Sequence, residues 1–125
     1  MFIVSMSSTN SIGKLGESLA STHLMRRGFK ILEQNWRFGK KEIDIIAEIE
    51  DFIVFVEVKT REEPFPGRLE EYINRKKQRH IITTANEYMR LKDIDKEARF
   101  DVIVIILNRG NHELEHIEEA FYPTL

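Results

Sequence analysis

The stretch EIDIIAEIEDFIVFVEVK, residues 42–59, reads as two strands placed back to back. Glu42–Ile49 and Phe52–Lys59 are rich in β-branched and aromatic residues, and only Glu50-Asp51 separates them, a spacing that suits a tight hairpin. Phe52–Val56 is apolar at every position, which is how a strand covered on both faces reads, so it is placed at the centre of the sheet. Charge nevertheless follows at once. Side chains two positions apart on a strand share a face, so Glu42 points with Asp44, and Glu57 with Lys59. In a closed hairpin Asp44 and Glu57 are cross-strand neighbours. Two carboxylates about 4 Å apart repel by roughly 4 kcal/mol at an effective dielectric of about 20, and something positive must offset that.

Two accounts of the cluster stay open. Asp44, Glu57 and Lys59 can form a solvated ion-pair group at the end of a sheet, a pattern that arises easily in a chain that is 32 % charged. Alternatively, a divalent cation lies between the carboxylates. Glu57 and Lys59 come directly after the apolar run of a central strand, where charge is costly unless paired or used. Oxygen ligands without histidine or cysteine point to Mg²⁺ or Mn²⁺ over zinc.

Outward from the hairpin, Ser11–Arg27 carries Ile12, Leu15, Leu19 and His23 at helical spacing, and Gly28 is a natural stop. Phe29–Leu32 is a short strand candidate. A loop, Glu62–Gly67, contains two prolines and leads into a helical stretch of two parts, Leu69–Ile73 and a longer helix capped by Asn74 and reaching about Met89. Arg99–Leu107 is a second near-continuous apolar strand, and Asn111–Phe121 adds an acidic edge strand. The order α-β-β-β-α-β, with that final strand, gives a mixed α/β domain with helices on both sides of a sheet. With 125 residues and no repeat or linker, one domain is expected over residues 1–125, led by a poorly ordered segment, residues 1–10. A net charge of −2 excludes a global positive field, so attraction to nucleic acid must come from local clusters. The absence of cysteine excludes disulfides and thiolate metal sites, and Met1–Met6 is too short to span a bilayer. A soluble, cytoplasmic protein with no membrane partner is expected.

Other charged residues read ambiguously. Glu17 lies on the first helix beside Gly13, Gly16 and Ala20, small residues that let backbones approach, yet helical spacing alone makes it a surface glutamate. Lys76 and Lys77 sit in the first turn after Asn74, Lys77 on the stripe of Ile81, Thr84 and Tyr88. A lysine there is disfavoured by the helix dipole, and phosphate supplies one reason for it. A snorkelling lysine in the basic run Arg75–Arg79 is the other account. The four histidines assemble no site in this reading: His112 and His116 belong to a solvated strand. Trp36 and Arg37 are packing and surface, with Arg37 a further phosphate contact in reach.

Six motifs then run in order: G-x-x-G-E-x-x-A (Gly13, Gly16, Glu17, Ala20), N-W-R (Asn35–Arg37), E-I-D-I-I-A (Glu42–Ala47), F-V-E-V-K-T-R (Phe55–Arg61), the basic segment Lys77–Ile81, and R-F-D-V (Arg99–Val102). Together they resemble the bacterial YraN family of endonuclease-like proteins, relatives of the archaeal Holliday-junction resolvases within the PD-(D/E)xK nuclease superfamily. The resemblance covers about Ser11 to Phe121. It implies an αβββαβ restriction-endonuclease-like core, the order already read from periodicity. It implies Glu17, Asp44 and Glu57 as acidic metal ligands and Lys59 as the catalytic lysine. The expected activity is Mg²⁺- or Mn²⁺-dependent phosphodiester hydrolysis in DNA, branched or junction DNA included, with Arg61, Arg75, Lys76 and Lys77 on backbone phosphates. The Val58 carbonyl is a further ligand candidate. The resolvase likeness also suggests a homodimer. One departure stands out: Lys41 occupies a position where the family usually has glycine. The competing expectation is a catalytically idle nucleic-acid-binding protein that keeps the fold.

Overall fold

Phe52–Val56 forms the middle of the sheet, as its composition demands. In the computed structural model, which describes residues 9–63 and 73–123, Ile53, Val54, Phe55 and Val56 are all at most 1 % exposed. The elements run α1 (Thr9–Arg26), β1 (Lys30–Phe38), β2 (Lys41–Ile49), β3 (Phe52–Glu62), α2 (Arg75–Leu91), β4 (Glu97–Asn108) and β5 (Asn111–Phe121). The five strands lie in the order β1-β2-β3-β4-β5. All neighbours are antiparallel except β3 and β4, which are parallel because α2 carries the chain back between them.

Alternation along β3 divides the core in two. Val54 and Val56 join Ile45, Ala47, Ile103 and Ile105 beneath Ala20 and Leu24 of α1. Ile53 and Phe55 join Ile46, Phe100, Val102 and Val104 beneath Ile81, Ala85 and Tyr88 of α2. One helix therefore covers each face. Burying apolar area at about 25 cal/mol per Å² on both faces is what holds the layers together. The β2–β3 hairpin closes at Ile49↔Phe52, with Glu50 at φ +52 taking the turn. Asn74 caps α2 by accepting a 2.9 Å hydrogen bond from the Lys77 backbone N–H.

The structure differs from the expected elements in places. The first helix starts at Thr9, inside the segment expected to be a loose lead. The first strand does not stop at Leu32 but continues to Phe38. Its polar middle, Glu33-Gln-Asn35, is tolerated because β1 is an edge strand with a register shift between Ile31 and Glu33 and a positive φ of 54° at Asn35. The expected helix Leu69–Ile73 lies, apart from Ile73, outside the described residues, as do residues 1–8. No described helix is long and apolar enough to cross a membrane.

Candidate active site

The sheet forks at the residues that carry charge. The ladder between β2 and β3 runs from Ile49↔Phe52 to Ile45↔Val56 and goes no further. Beyond it the start of β2 pairs with β1 through Ile43↔Trp36, Glu42↔Arg37 and Lys41↔Phe38, while β3 pairs with β4 from Glu57↔Val102 to Glu62↔Leu107. Asp44 and Glu57 continue the hairpin register by one position, at the crotch of the fork. The Val58 backbone N–H, which has no β2 carbonyl to meet there, donates to Asp44 Oδ2 at 2.8 Å. This fixes the Asp44 carboxylate against β3.

Glu57 is only 5 % exposed, and two ammonium groups reach it. Lys59 Nζ and Lys77 Nζ each lie 3.4 Å from Glu57 Oε1. Lys59 comes from the same strand face, two residues on. Lys77 comes from the first turn of α2, at the end of the stripe that buries Ile81, Thr84 and Tyr88, so its inward placement has a partner. Asp44 has no cation at contact distance among the described residues. Its pKa is pushed up to about 7, by burial first and then by the Glu57 charge, with Glu17 adding to the effect. The Val58 N–H and Lys59 oppose the rise without cancelling it.

α1 brings Glu17 to the site through its neighbour Gly16. A Cβ on Gly16 would fall 1.7 Å from Thr60 Oγ1, so only glycine lets the helix press this closely on β3. Gly13 has open space where its Cβ would be and is not required by packing. Glu17, Val58, Lys59 and Arg61 line a shared cleft of about 410 Å³ on the α1 side. On the α2 side a second cavity of about 300 Å³ is lined by Lys40, Lys41, Glu42, Asp44, Lys77, His80, Ile81 and Thr84. Asp44 lines the second cavity, and Lys59, which contacts Glu57, lines the first.

Of the residues singled out from sequence, Asp44, Glu57, Lys59 and Lys77 come together at the fork, and Glu17 and Arg61 share the adjoining cleft with Lys59. Arg75 and Lys76 are exposed at the same end of α2 and line neither opening. No three His, Cys, Asp or Glu side chains among the described residues converge as a ready-made metal-binding group. Two carboxylates suit Mg²⁺ all the same, because this ion keeps several waters and is commonly held by one or two carboxylates plus substrate phosphate. The hard oxygen donors of Asp44 and Glu57 fit such an ion, with the Val58 carbonyl and Glu17 within the same region.

The expectation that His116 belongs to a solvated strand is corrected, although the histidines form no metal-binding group among the described residues. His116 is on the α1 face of β5, with its side chain 6 % exposed. Its Nε2 lies 2.7 Å from Asp101 Oδ2, and its Nδ1 lies 3.0 Å from His23 Nε2 on α1. Asp101, fully buried, also accepts from Arg99 Nε at 3.0 Å, Arg99 Nη2 at 2.9 Å and the Glu119 N–H at 3.1 Å. The R-F-D-V motif thus knots β4, β5 and α1 together behind the fork.

The model of uncharacterised protein family UPF0102 matches residues 16–105, which hold the fork, Glu17 and Lys77. Similar proteins include a UPF0102 protein of Flavobacterium psychrophilum, 42 % identical over 117 residues that cover 94 % of this chain and 98 % of the relative. UPF0102 proteins of Phocaeicola vulgatus and Bacteroides thetaiotaomicron are 40 % and 42 % identical over 120 residues, covering 96 % of this chain and 99 % of each relative.

Proposed function

The chain belongs to uncharacterised protein family UPF0102, and from the geometry of its sheet fork we propose that it is a metal-dependent endonuclease hydrolysing phosphodiester bonds in DNA. The observation that carries this reading is the gathering of Asp44, Glu57 and Lys59 where β2 and β3 part. The likeness of these residues and of the element order to the YraN and PD-(D/E)xK pattern supports it. Mg²⁺ or Mn²⁺ bound at Asp44 and Glu57 would supply Lewis acidity and lower the pKa of a water.

The chain's own groups supply the rest. The Val58 N–H holds the Asp44 carboxylate in place. Lys59, its side chain 20 % exposed, is positioned to orient the attacking water or to stabilise charge growing on the phosphoryl oxygens. Glu17, set against the fork by Gly16, completes or orients the acidic shell. Lys77 and Arg61 flank the openings and place the backbone. Hydrolysis forms one P–O bond to water and breaks one ester P–O bond, leaving a phosphate end and a hydroxyl end.

Single-turnover cleavage of duplex, flap, single-stranded and four-way DNA, with and without Mg²⁺ or Mn²⁺, tests the reading. Lys59→Met keeps the apolar stem and deletes the ammonium. It should lower the cleavage rate by a factor on the order of 10² to 10³ and change DNA binding far less. Full cleavage by a folded Lys59→Met protein would remove Lys59 from the mechanism. No metal-dependent cleavage of any substrate by the wild type would sink the nuclease reading.

One observation favours a second reading. Glu57 already has two lysine partners at 3.4 Å, so part of the cluster is compensated without any metal. A catalytically idle DNA-binding protein would bind the same substrates whether or not Mg²⁺ is present, and Lys59→Met would destabilise it without touching any activity.

A further inference from the structure

We propose that the β1–β2 hairpin and the start of α2 form a DNA subsite, in which a backbone phosphate sits among Lys40, Lys41, Lys77 and His80 and an unpaired base stacks on Phe38. The proposal rests on the reading of this chain as a protein that acts on DNA, and it adds a substrate class: DNA with unpaired nucleotides beside the fork.

The cavity of about 300 Å³ on the α2 side is walled almost entirely by polar groups, and Ile81 is its one apolar lining residue. Of its charged groups, Glu42 is neutralised by Arg37 at 3.1 Å, and Lys77 leans on Glu57. Lys40 and Lys41 form no ion pair among the described residues. In a chain of net charge −2, two uncommitted ammonium groups at the rim of one concave site, with a third and an imidazole opposite, make a local anion seat. Asp44 is one of its lining residues, so an anion here adjoins the proposed reaction centre.

Phe38 supplies the second half. It pairs across the hairpin with Lys41, which puts both on one face of the sheet. Gly39 turns the chain between them at φ +63. The Phe38 ring stacks on Trp36, with centroids 6.3 Å apart and planes 12° from parallel, yet Phe38 stays 41 % exposed. Trp36 in turn abuts Tyr88 of α2 edge-on at 5.0 Å. An exposed ring braced from behind by two more rings costs little entropy to use. Base–aromatic stacking of this kind tolerates any sequence, while lysines hold the backbone. Bases inside a duplex are already stacked on their neighbours, so an unpaired nucleotide can lie on Phe38 where an internal base pair cannot.

Fluorescence anisotropy with Ca²⁺ in place of Mg²⁺ measures binding of the full chain to a blunt duplex, the same duplex with a single-stranded overhang, and the single strand alone. The overhang should bind about tenfold tighter than the blunt end. Phe38→Leu, which keeps an apolar contact for Trp36, and Phe38→Ala should each remove most of that preference. Lys40→Ala and Lys41→Ala should weaken all three DNAs and make the log–log salt slope shallower by about one each. Equal binding of blunt and overhanging DNA by the wild type, or wild-type affinities for Phe38→Leu and Lys41→Ala, overturns the subsite. If those variants behave as wild type while Asp44→Asn has lost metal-dependent cleavage, the nuclease stands and the subsite falls. If the preference and its losses are seen without any cleavage by the wild type, the subsite stands and the nuclease falls. A wild type that binds none of the DNAs overturns both.

Discussion

Asp44 is held by one N–H donor and faces the charges of Glu57 and Glu17 from a site where water is scarce, so its carboxyl keeps its proton up to about pH 7. The unfolded chain releases that proton near pH 4. A raised pKa means the folded state binds the proton more tightly, so the associated stability is fully present below about pH 4 and is lost as pH rises through about 7. Without metal, the melting temperature should therefore fall between about pH 4 and pH 7 on account of Asp44, and this effect should level off by about pH 8. Asp44→Asn should flatten that slope and melt higher than wild type at about pH 8, while gaining less from Mn²⁺. Melting curves across that range, with and without Mn²⁺, check it; parallel curves for the two proteins would return Asp44 to the role of an ordinary surface carboxylate. At this scale the site was half legible. Glu57 and Lys59 declared themselves as charges at the end of an apolar run. The bond from Val58 to Asp44 did not, because it depends on where the β2–β3 ladder stops, and no residue type marks that point.

Elements bring distant residues to the fork, and their docking depends on small features. α1 meets β3 at Gly16, where a methyl group would collide with Thr60. Gly16→Ala should push the helix outward, lower stability by about 1–3 kcal/mol as overpacking does, and carry Glu17 away from Lys59. Thr60→Ala in the same chain should restore part of both losses; calorimetry and cleavage rates measure the pair, and a lone Gly16→Ala with wild-type melting would show that α1 is free to slide. The other end of α1 is tied through His23 to His116 and Asp101. Burial first, and then the His116 charge, hold the His23 pKa below 6.5, while hydrogen bonds from His116 and Arg99 hold Asp101 below the usual carboxylate range despite its burial. Both groups bind protons better when unfolded, so their contribution is present at higher pH and is lost in acid: below about 6.5 for His23, below about 3.8 for Asp101. Asp101→Asn would leave Arg99, its side chain 11 % exposed, without its carboxylate, and should cost about 3 kcal/mol or more. Chemical denaturation at neutral pH tests this, and a loss under about 1 kcal/mol would mean that Glu118, 3.7 Å from Arg99, takes over. The apolar period gave the order of elements along the chain and both described helices. It missed the second half of β1 and the burial of His116, because edge strands carry polar residues whether water or a helix end covers them. Arg99 and Asp101 share a face inside an apolar strand, the same pattern that exposed Glu57 and Lys59, and could have been read the same way.

Among the described residues, one end of the molecule gathers lysines and arginines beside the carboxylates of the fork, and the opposite edge of the sheet is acidic. The β1–β2 hairpin, the fork and the start of α2 hold Lys40, Lys41, Lys59, Arg61, Arg75, Lys76 and Lys77, while β5 at the far edge of the sheet carries Glu113, Glu115, Glu118 and Glu119. A polyanion approaching a chain of net charge −2 meets attraction on one side and repulsion on the other, so binding should be confined to the basic end and fall steeply with salt. Lys76 and Lys77 separate two kinds of contribution. Lys76 is exposed and touches no carboxylate among the described residues, so Lys76→Ala should leave stability alone and make the salt slope shallower by about one. Lys77 lies 3.4 Å from Glu57, and its loss leaves a carboxylate that is 5 % exposed with Lys59 as its remaining cation. Lys77→Ala should therefore lower the slope by a similar amount and also lower the melting temperature without metal, with added Mg²⁺ restoring part of that loss. Because phosphate contacts carry no sequence information, both changes should weaken every DNA sequence about equally. Binding isotherms at several salt concentrations, read beside melting curves with and without Mg²⁺, give the two numbers needed for each variant. A lysine whose removal leaves affinity, slope and melting unchanged belongs to the solvated surface, and if both lysines behave so, the α2 end of the molecule has no part in holding DNA.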